Sequence, residues 1–522
     1  MIDVLIIGSG GAALSCAIAA KQKGLSVLIL TKSSATSSQT VQAQGGINGV
    51  LGDTDDTVEA HIQDTIKSSC QIGDDETISF MCQQAKETIE WLDNLGVSFS
   101  RDENNHIARR KLGGASYERA CYSSDYTGLK ILHTLYDTAL KLNIPILENC
   151  LLLDLIQNEN SVYGVIYLDM ETSQVKELLA CNTVLATGGY GAVYHGFTTN
   201  HRDTTADGLM AAFRAGVNLE NMEFVQFHPT SLKERYVLIS ESARGEGGYL
   251  VTQDGKRFVD ELLPRDIVAR EIYTKLLNNE EVFLDLRHIS KERLLHLLPQ
   301  EYKLIFNFTS LKLDSDLIPI SPATHYTMGG LKCNKESKTS LNHLYAIGEI
   351  ASNGVHGANR LGGNSLLEII LFGKKLGENL ALYTPPQIDF MMQLKHNQSS
   401  IEKLFISKGK IDFYPLRIKL GSVMFKNVGL FRSDESLQNA FEFVENLLKM
   451  SDEFSLDDKS NCFNTNLKEL LEFKNSIICA KAIIVSALNR CESRGAHFRS
   501  DFPKSHELYE KSTIIDNNFM IK

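Results

Sequence analysis

The first thirty-two residues constrain this chain more than any other stretch. Asp3-Val4-Leu5-Ile6-Ile7 is a run of mostly branched apolar residues, too short to need a helix, and it leads straight into Gly8-Ser9-Gly10-Gly11-Ala12-Ala13. An amphipathic segment follows from Leu14 to Lys23, Gly24 stops it, and Val27-Leu28-Ile29-Leu30 is a second apolar run. The order is strand, tight turn, helix, strand, with G-x-G-x-x-A spacing at the turn. Gly8 gives the sharp turn, Gly10 lets backbone approach a pyrophosphate, and Ala13 lets the helix lie close on the strands. Unpaired N–H groups and the positive dipole end at the start of the helix favour phosphates. A Gly-rich turn alone is weak evidence; in this context it predicts dinucleotide binding. The acidic residue expected at the end of the second strand is missing, and Thr31-Lys32 stand there. Ordinary NAD recognition through a ribose-binding carboxylate is therefore not expected.

With 522 residues the chain should hold two to four domains. Its net charge of −11, from 53 basic and 64 acidic residues, argues against nucleic acid as a partner. No apolar run approaches the length of a membrane span and no secretory signal opens the chain, so a soluble, cytoplasmic protein is expected. Ten scattered cysteines with no C-x-x-C pair support neither zinc, an iron–sulfur cluster nor a disulfide framework.

The polar, Gly-rich stretch Ser37 to Asn48 reads as a loop able to wrap a planar ligand through its backbone. Residues 55–95 read as helical, with Trp91-Leu92 on an apolar face suited to a core. Arg109 to Gly114 is a basic loop, either solvated or facing an anion, and Leu129 to Leu142 has helical periodicity. Strands are expected at 145–156 and 161–168, and Thr183 to Gly189 reads as a buried strand ending in a Gly turn.

Chemistry concentrates further on. His228 precedes Pro229, which favours an extended or turn conformation, and a lone histidine of this kind is more often structural. It does not stand alone. Ser240-Glu241, Arg244-Gly245-Glu246-Gly247, Pro264-Arg265-Asp266, His325-Tyr326-Thr327 and His356-Gly357-Ala358-Asn359-Arg360 follow in Gly/Pro-bounded loops. Arginine forks bind carboxylates in bidentate fashion and histidines donate to the remaining oxygens, so the set suits a small dianion.

The order of these motifs resembles the flavoprotein family of succinate dehydrogenase, fumarate reductase and L-aspartate oxidase. The resemblance runs over nearly the whole chain, from Gly8-Ser9-Gly10-Gly11-Ala12 through Ala43-Gln44-Gly45-Gly46-Ile47, Phe227-His228-Pro229-Thr230 and His325-Tyr326-Thr327-Met328-Gly329-Gly330. It continues through Tyr345-Ala346-Ile347-Gly348-Glu349, His356 to Leu361 and Asn364-Ser365-Leu366, and closes at Ser493-Arg494-Gly495-Ala496-His497. It implies an α/β fold: a Rossmann-like FAD-binding domain at residues 1–221 and 326–396, an inserted α+β capping domain at 222–325, and a helical C-terminal domain at 397–522. FAD would be held by Gly8, Gly10, Gly11, Ala12, Lys32, Thr40, Ala43, Gln44, Gly45, Gly46, Gly188, Asp207, Glu349, Asn364, Ser365 and Leu366, with Glu349 on the ribose. By the same match, His228, Ser240, Glu241, Arg265, His325 and Arg360 would bind a C4 dicarboxylate, with Arg265, His228 and Glu241 in the catalytic roles and Arg265 as proton relay. An arginine keeps its proton far above neutral pH, which makes that last role unusual.

Members that bind FAD covalently do so through a histidine just before the Thr of the Ala-Gln-Gly-Gly loop. Gln39 stands there, so non-covalent FAD is expected. With the compact C-terminus, this makes oxidation of L-aspartate to iminoaspartate for NAD biosynthesis the first reading, with O2 or fumarate as oxidant. Aspartate oxidases, however, carry a glutamate for the substrate amine where this chain has Leu112, and Glu118-Arg119-Ala120-Cys121-Tyr122 is closer to the fumarate reductase pattern. The alternative is a flavoprotein subunit interconverting fumarate and succinate, with an iron–sulfur partner.

Overall fold

The computed structural model describes residues 2–383, 386–407 and 409–522. A seven-stranded sheet carries the first α/β unit. Ile146–Leu147, Val27–Leu30, Ile2–Ile7 and Gln174–Leu185 lie side by side in that order, and Leu344–Ala346 also pairs with the last. All of these pairs are parallel. Gln174–Leu185 is longer than the apolar run from Thr183 suggests: its first half pairs antiparallel with Ser161–Asp169, which in turn pairs with Cys150–Asn158.

The helix Gly11–Gln22 departs from its amphipathic reading, because every residue from Gly11 to Ala20 is buried. It is held between the sheet and the helix Asn364–Asn379. Gly373 and Gly377 make that packing possible: a Cβ there would stand 2.5 Å from the Ala12 carbonyl oxygen and 2.3 Å from that of Cys16. The region 55–95 forms three helices, Val58–Ser69, Asp75–Gln83 and Ala85–Leu95, with Leu92 buried. Within the basic stretch, Arg109–Arg110 is a short strand rather than loop.

The inserted unit has its own apolar core and a four-stranded antiparallel sheet in the order Val225–Leu232, Ile318–Thr327, Val282–Asp285, Tyr249–Thr252. The 325/326 boundary falls inside one of these strands. Arg265–Leu277, Lys291–Leu297 and Pro299–Thr309 are its longer helices. Beyond the large-sheet unit come Met391–Ile406, Tyr414–Asn427, Asp434–Met450 and Thr465–Asn489, sharing an apolar core with the far face of the large sheet. The chain then turns back, and Ile514–Ile515 pairs with Leu219–Glu220. Among the described residues no helix is long and apolar enough to cross a membrane.

Candidate active site

One long cavity, about 1610 Å3 of open space, runs from the Gly8 turn to the seam between the two α/β units. Gly8, Gly10, Gly11, Ala12, Lys32, Thr40, Ala43, Gln44, Gly45, Gly46, Gly188, Asp207, Glu349, Ser365 and Leu366 line it. So do His228, Ser240, Glu241, Arg265, His325 and Arg360. The Asn364 side chain does not line it. It is fully buried, its Oδ1 accepting from Asn48 Nδ2 at 2.7 Å and meeting His61 Nε2 at 2.9 Å, while its Nδ2 donates to Thr65 Oγ1.

The glycine half fits FAD. The helices Gly11–Gln22 and Asn364–Asn379 both begin at glycines with no side-chain cap, leaving N–H groups for phosphates. Gly8 has φ +113°, and a Cβ there would meet the Ala186 carbonyl at 2.2 Å, so only glycine suits the turn. Ser38 Oγ is buried without a partner beside the turn. Gln39 Oε1 accepts the His201 backbone N–H at 2.7 Å. Glu349 Oε1 accepts from the Thr327 N–H at 2.9 Å and hydroxyl at 3.1 Å, and burial pushes its carboxyl up to about 7.

At the other end the inserted unit supplies the charges. Val225–Leu232 contributes Gln226 and His228, two residues apart on one strand. In the facing strand Thr324 pairs with Phe227 and Tyr326 with Gln226, so His325 is the extra residue of a bulge, re-aimed toward His228. The two imidazoles meet edge to face, 4.8 Å between centroids. His228 Nδ1 lies 2.9 Å from the Thr230 carbonyl and His325 Nδ1 2.8 Å from Thr199 Oγ1. Burial first, then the Arg265 guanidinium for His228 and the competing His228 ring followed by Arg265 for His325, holds both well below the usual histidine range. They are neutral at neutral pH.

Glu241 organises the arginines. Its Oε2 accepts from Arg265 Nε at 2.8 Å and also from Nη2, its Oε1 accepts the Gly113 N–H at 2.7 Å, and Arg244 Nη2 lies 3.8 Å from Oε1. Although burial opposes ionisation, Arg265 and Arg244 hold this carboxyl down at about 2. Arg265 Nη1 and Arg360 Nη2 both donate to Gln226 Oε1, at 3.0 and 3.1 Å. Arg360 stacks on Tyr326 at 4.1 Å with its Nε unpartnered, and burial lowers its guanidinium to about 10. Ser240 starts the short helix Glu241–Gly245 and its backbone N–H donates to Glu301. Three guanidiniums against the Glu241 carboxylate leave two positive charges, the complement of a dicarboxylate. The sequence reading selected neither Gln226 nor Arg244 as site residues; their positions two before His228 and three after Glu241 were the available signal.

Ser493-Arg494-Gly495-Ala496-His497 does not line this cavity. Arg494 pairs with Glu492, Glu492 with Arg490 and Arg490 with Glu223, a buried ionic knot tying the last turn of the chain beneath the inserted unit. All ten cysteines are unpaired, and most are buried.

Fold and cavity together define an FAD-dependent oxidoreductase. The family description "FAD binding domain" matches residues 3–366 and "Fumarate reductase flavoprotein C-term" matches residues 417–521. The succinate dehydrogenase flavoprotein subunit of Rickettsia bellii is 36% identical over 542 residues, covering 97% of this chain and 91% of that one. The 8-methylmenaquinol:fumarate reductase flavoprotein subunit of Wolinella succinogenes is also 36% identical, covering 99% and 89%. The structure of the E. coli quinol fumarate reductase FrdA superposes with a TM-score of 0.95 at 29% identity, covering 100% of this chain and 95% of that one. The chain belongs to the succinate dehydrogenase/fumarate reductase flavoprotein family.

Proposed function

We propose that this protein interconverts fumarate and succinate as the flavoprotein subunit of an assembly whose other member exchanges electrons with it through iron–sulfur centres. The observation that carries the reading is the charge at the histidine end of the cavity: Arg265, Arg360 and Arg244 surround Glu241, whose two oxygens are taken up by Arg265 and the Gly113 N–H, beside two neutral imidazoles. Both Glu241 oxygens are engaged, and Leu112 presents an apolar side chain beside Gly113. The relatives named above support the same reading over L-aspartate oxidation.

Bound FAD supplies hydride exchange with one carbon of the substrate. Arg265 and Arg360 grip the carboxylates, and the two neutral histidines donate to the remaining oxygens from Nε2, the Nδ1 of His228 accepting the Thr230 N–H at 3.2 Å and that of His325 the Thr199 hydroxyl at 2.8 Å. Such positioning supplies up to roughly 7–11 kcal/mol of a barrier. During reduction the adjacent carbon takes its proton from Arg265, and Glu241 links Arg265 to Arg244 for its replacement. Gln39 cannot form a histidyl–flavin bond, so FAD is held non-covalently.

The test is product analysis: holoenzyme given an artificial low-potential donor and fumarate should make succinate. Absence of succinate, with iminoaspartate formed from L-aspartate instead, would overturn the reading.

A further inference from the structure

At the end of the second strand, where dinucleotide-binding folds hold the adenosine ribose with an acid, this chain has Lys32. Its ammonium is half-buried and donates to Thr205 Oγ1 at 2.8 Å, Asp207 Oδ2 at 2.5 Å and Glu472 Oε1 at 2.7 Å. Glu472 lies on Thr465–Asn489, the longest helix of the C-terminal domain. Two more side chains of that helix reach the same place: Asn475 Nδ2 donates to Asp207 Oδ1 at 2.9 Å, and Lys468 Nζ pairs with Asp203 Oδ1 at 2.5 Å. Lys32, Asp203 and Asp207 line the cofactor cavity; Glu472, Lys468 and Asn475 stand behind them.

We infer that the C-terminal helix is part of the FAD site, with Glu472 and Asn475 as positioning residues that hold Asp207 ready for a ribose hydroxyl. Charge counting gives the reason. Among the side chains that pair directly, three carboxylates (Asp203, Asp207, Glu472) outnumber two ammonium groups (Lys32, Lys468) by one, while the Arg214 guanidinium stands one step back, donating to Asn475 Oδ1 at 3.0 Å. Lys32 holds the Asp207 carboxyl below its usual range although burial opposes ionisation, and Glu472 accepts another of the ammonium hydrogens, so the lysine is fixed between the two carboxylates. Asn475 fixes the other oxygen. The acid absent from the strand end, for which the resemblance offered Glu349, is thereby supplied from residue 207 and steadied from residues 472 and 475. FAD binding and docking of the C-terminal domain are then coupled, each strengthening the other.

The experiment compares flavin release from holoenzyme on dilution, followed by the fluorescence of freed FAD, with thermal unfolding of the same samples. Glu472→Gln removes the net charge and keeps the shape; it should weaken FAD binding tenfold or more, and Asn475→Ala should weaken it severalfold. Phe473→Leu, one residue along and buried against Phe413 and Phe454, should lower the melting temperature while leaving the FAD dissociation constant unchanged. Unaltered FAD affinity in both Glu472→Gln and Asn475→Ala would overturn the inference. So would affinity lost to the same extent in Phe473→Leu, since that would make the helix a structural support only. If Glu472→Gln does not fold, Asn475→Ala decides alone.

Discussion

One oxygen of Glu241, Oε2, accepts hydrogen bonds from both Nε and Nη2 of Arg265, and both side chains are almost wholly buried. The pair fixes the plane of the guanidinium and turns Nη1 toward Gln226, where Arg360 also donates. Removing either partner leaves an uncompensated charge inside the protein, a cost of about 3–5 kcal/mol.

Arg265→Ala should therefore lose at least about a thousandfold in kcat, consistent with losing both an electrostatic contact and the proton donor, and should also lower the melting temperature. Arg265→Lys keeps the charge but not the fork, and should recover stability more fully than turnover. Stopped-flow flavin reduction by succinate, read beside thermal unfolding, separates the two effects. Equal recovery of both by lysine would contradict the assigned geometry.

Buried acids outside the hydride path give a pH dependence of stability. Burial is the main cause pushing Glu301 and Glu368 each up to about 8, so the folded state binds protons that the unfolded chain has released. Stability should fall as pH rises from about 4.5 toward 8, because over that interval the folded state holds more protons than the unfolded one. Glu241 runs the other way: its folded value is lowered to about 2, so its contribution is present above about 4.5 and lost between there and 2. Glu301→Gln should flatten the alkaline slope in urea unfolding measured between pH 5 and 8; an unchanged slope would contradict this.

Much of the frame was legible in the sequence because it rests on local chemistry. Gly8 and the two apolar runs announce the strand–turn–helix, and Thr183-Val184-Leu185 its neighbouring strand. What local patterning could not show is what distant segments bring. The helix Gly11–Gln22 reads as amphipathic, yet Asn364–Asn379 covers its outer side. Asn364 belongs to a motif that elsewhere lines the cavity, but its own side chain is drawn inward by Asn48, His61 and Thr65. His325 faces His228 because of a bulge, which no periodicity reveals. Arg244 and Gln226 carry charge and geometry in the site but are recognisable only once Arg265 is seen to need them.

Gly8→Ala should abolish flavin retention. The added Cβ meets a backbone oxygen at 2.2 Å and the residue keeps a positive φ, a strain of about 1–3 kcal/mol before any clash is counted. Gly24→Ala, at the far end of the helix Gly11–Gln22 and outside the cavity, carries a comparable φ of +86° but meets no atom within 4 Å, and should retain measurably more flavin. The absorbance ratio of flavin to protein after purification checks both. Equal loss would contradict the close approach at Gly8.

Acid precipitation should release all the flavin from the polypeptide, since Gln39 cannot form a histidyl–flavin link. Yellow colour remaining with the washed protein would show a covalent bond elsewhere.

The central claim is a flavin-facing site built for a dicarboxylate without an amine. Anaerobic titration of the holoenzyme, followed at the flavin absorption band, tests it most directly. Succinate should bleach the band, fumarate should restore it, and L-aspartate should leave it unchanged. Bleaching by L-aspartate with no response to succinate would contradict the account.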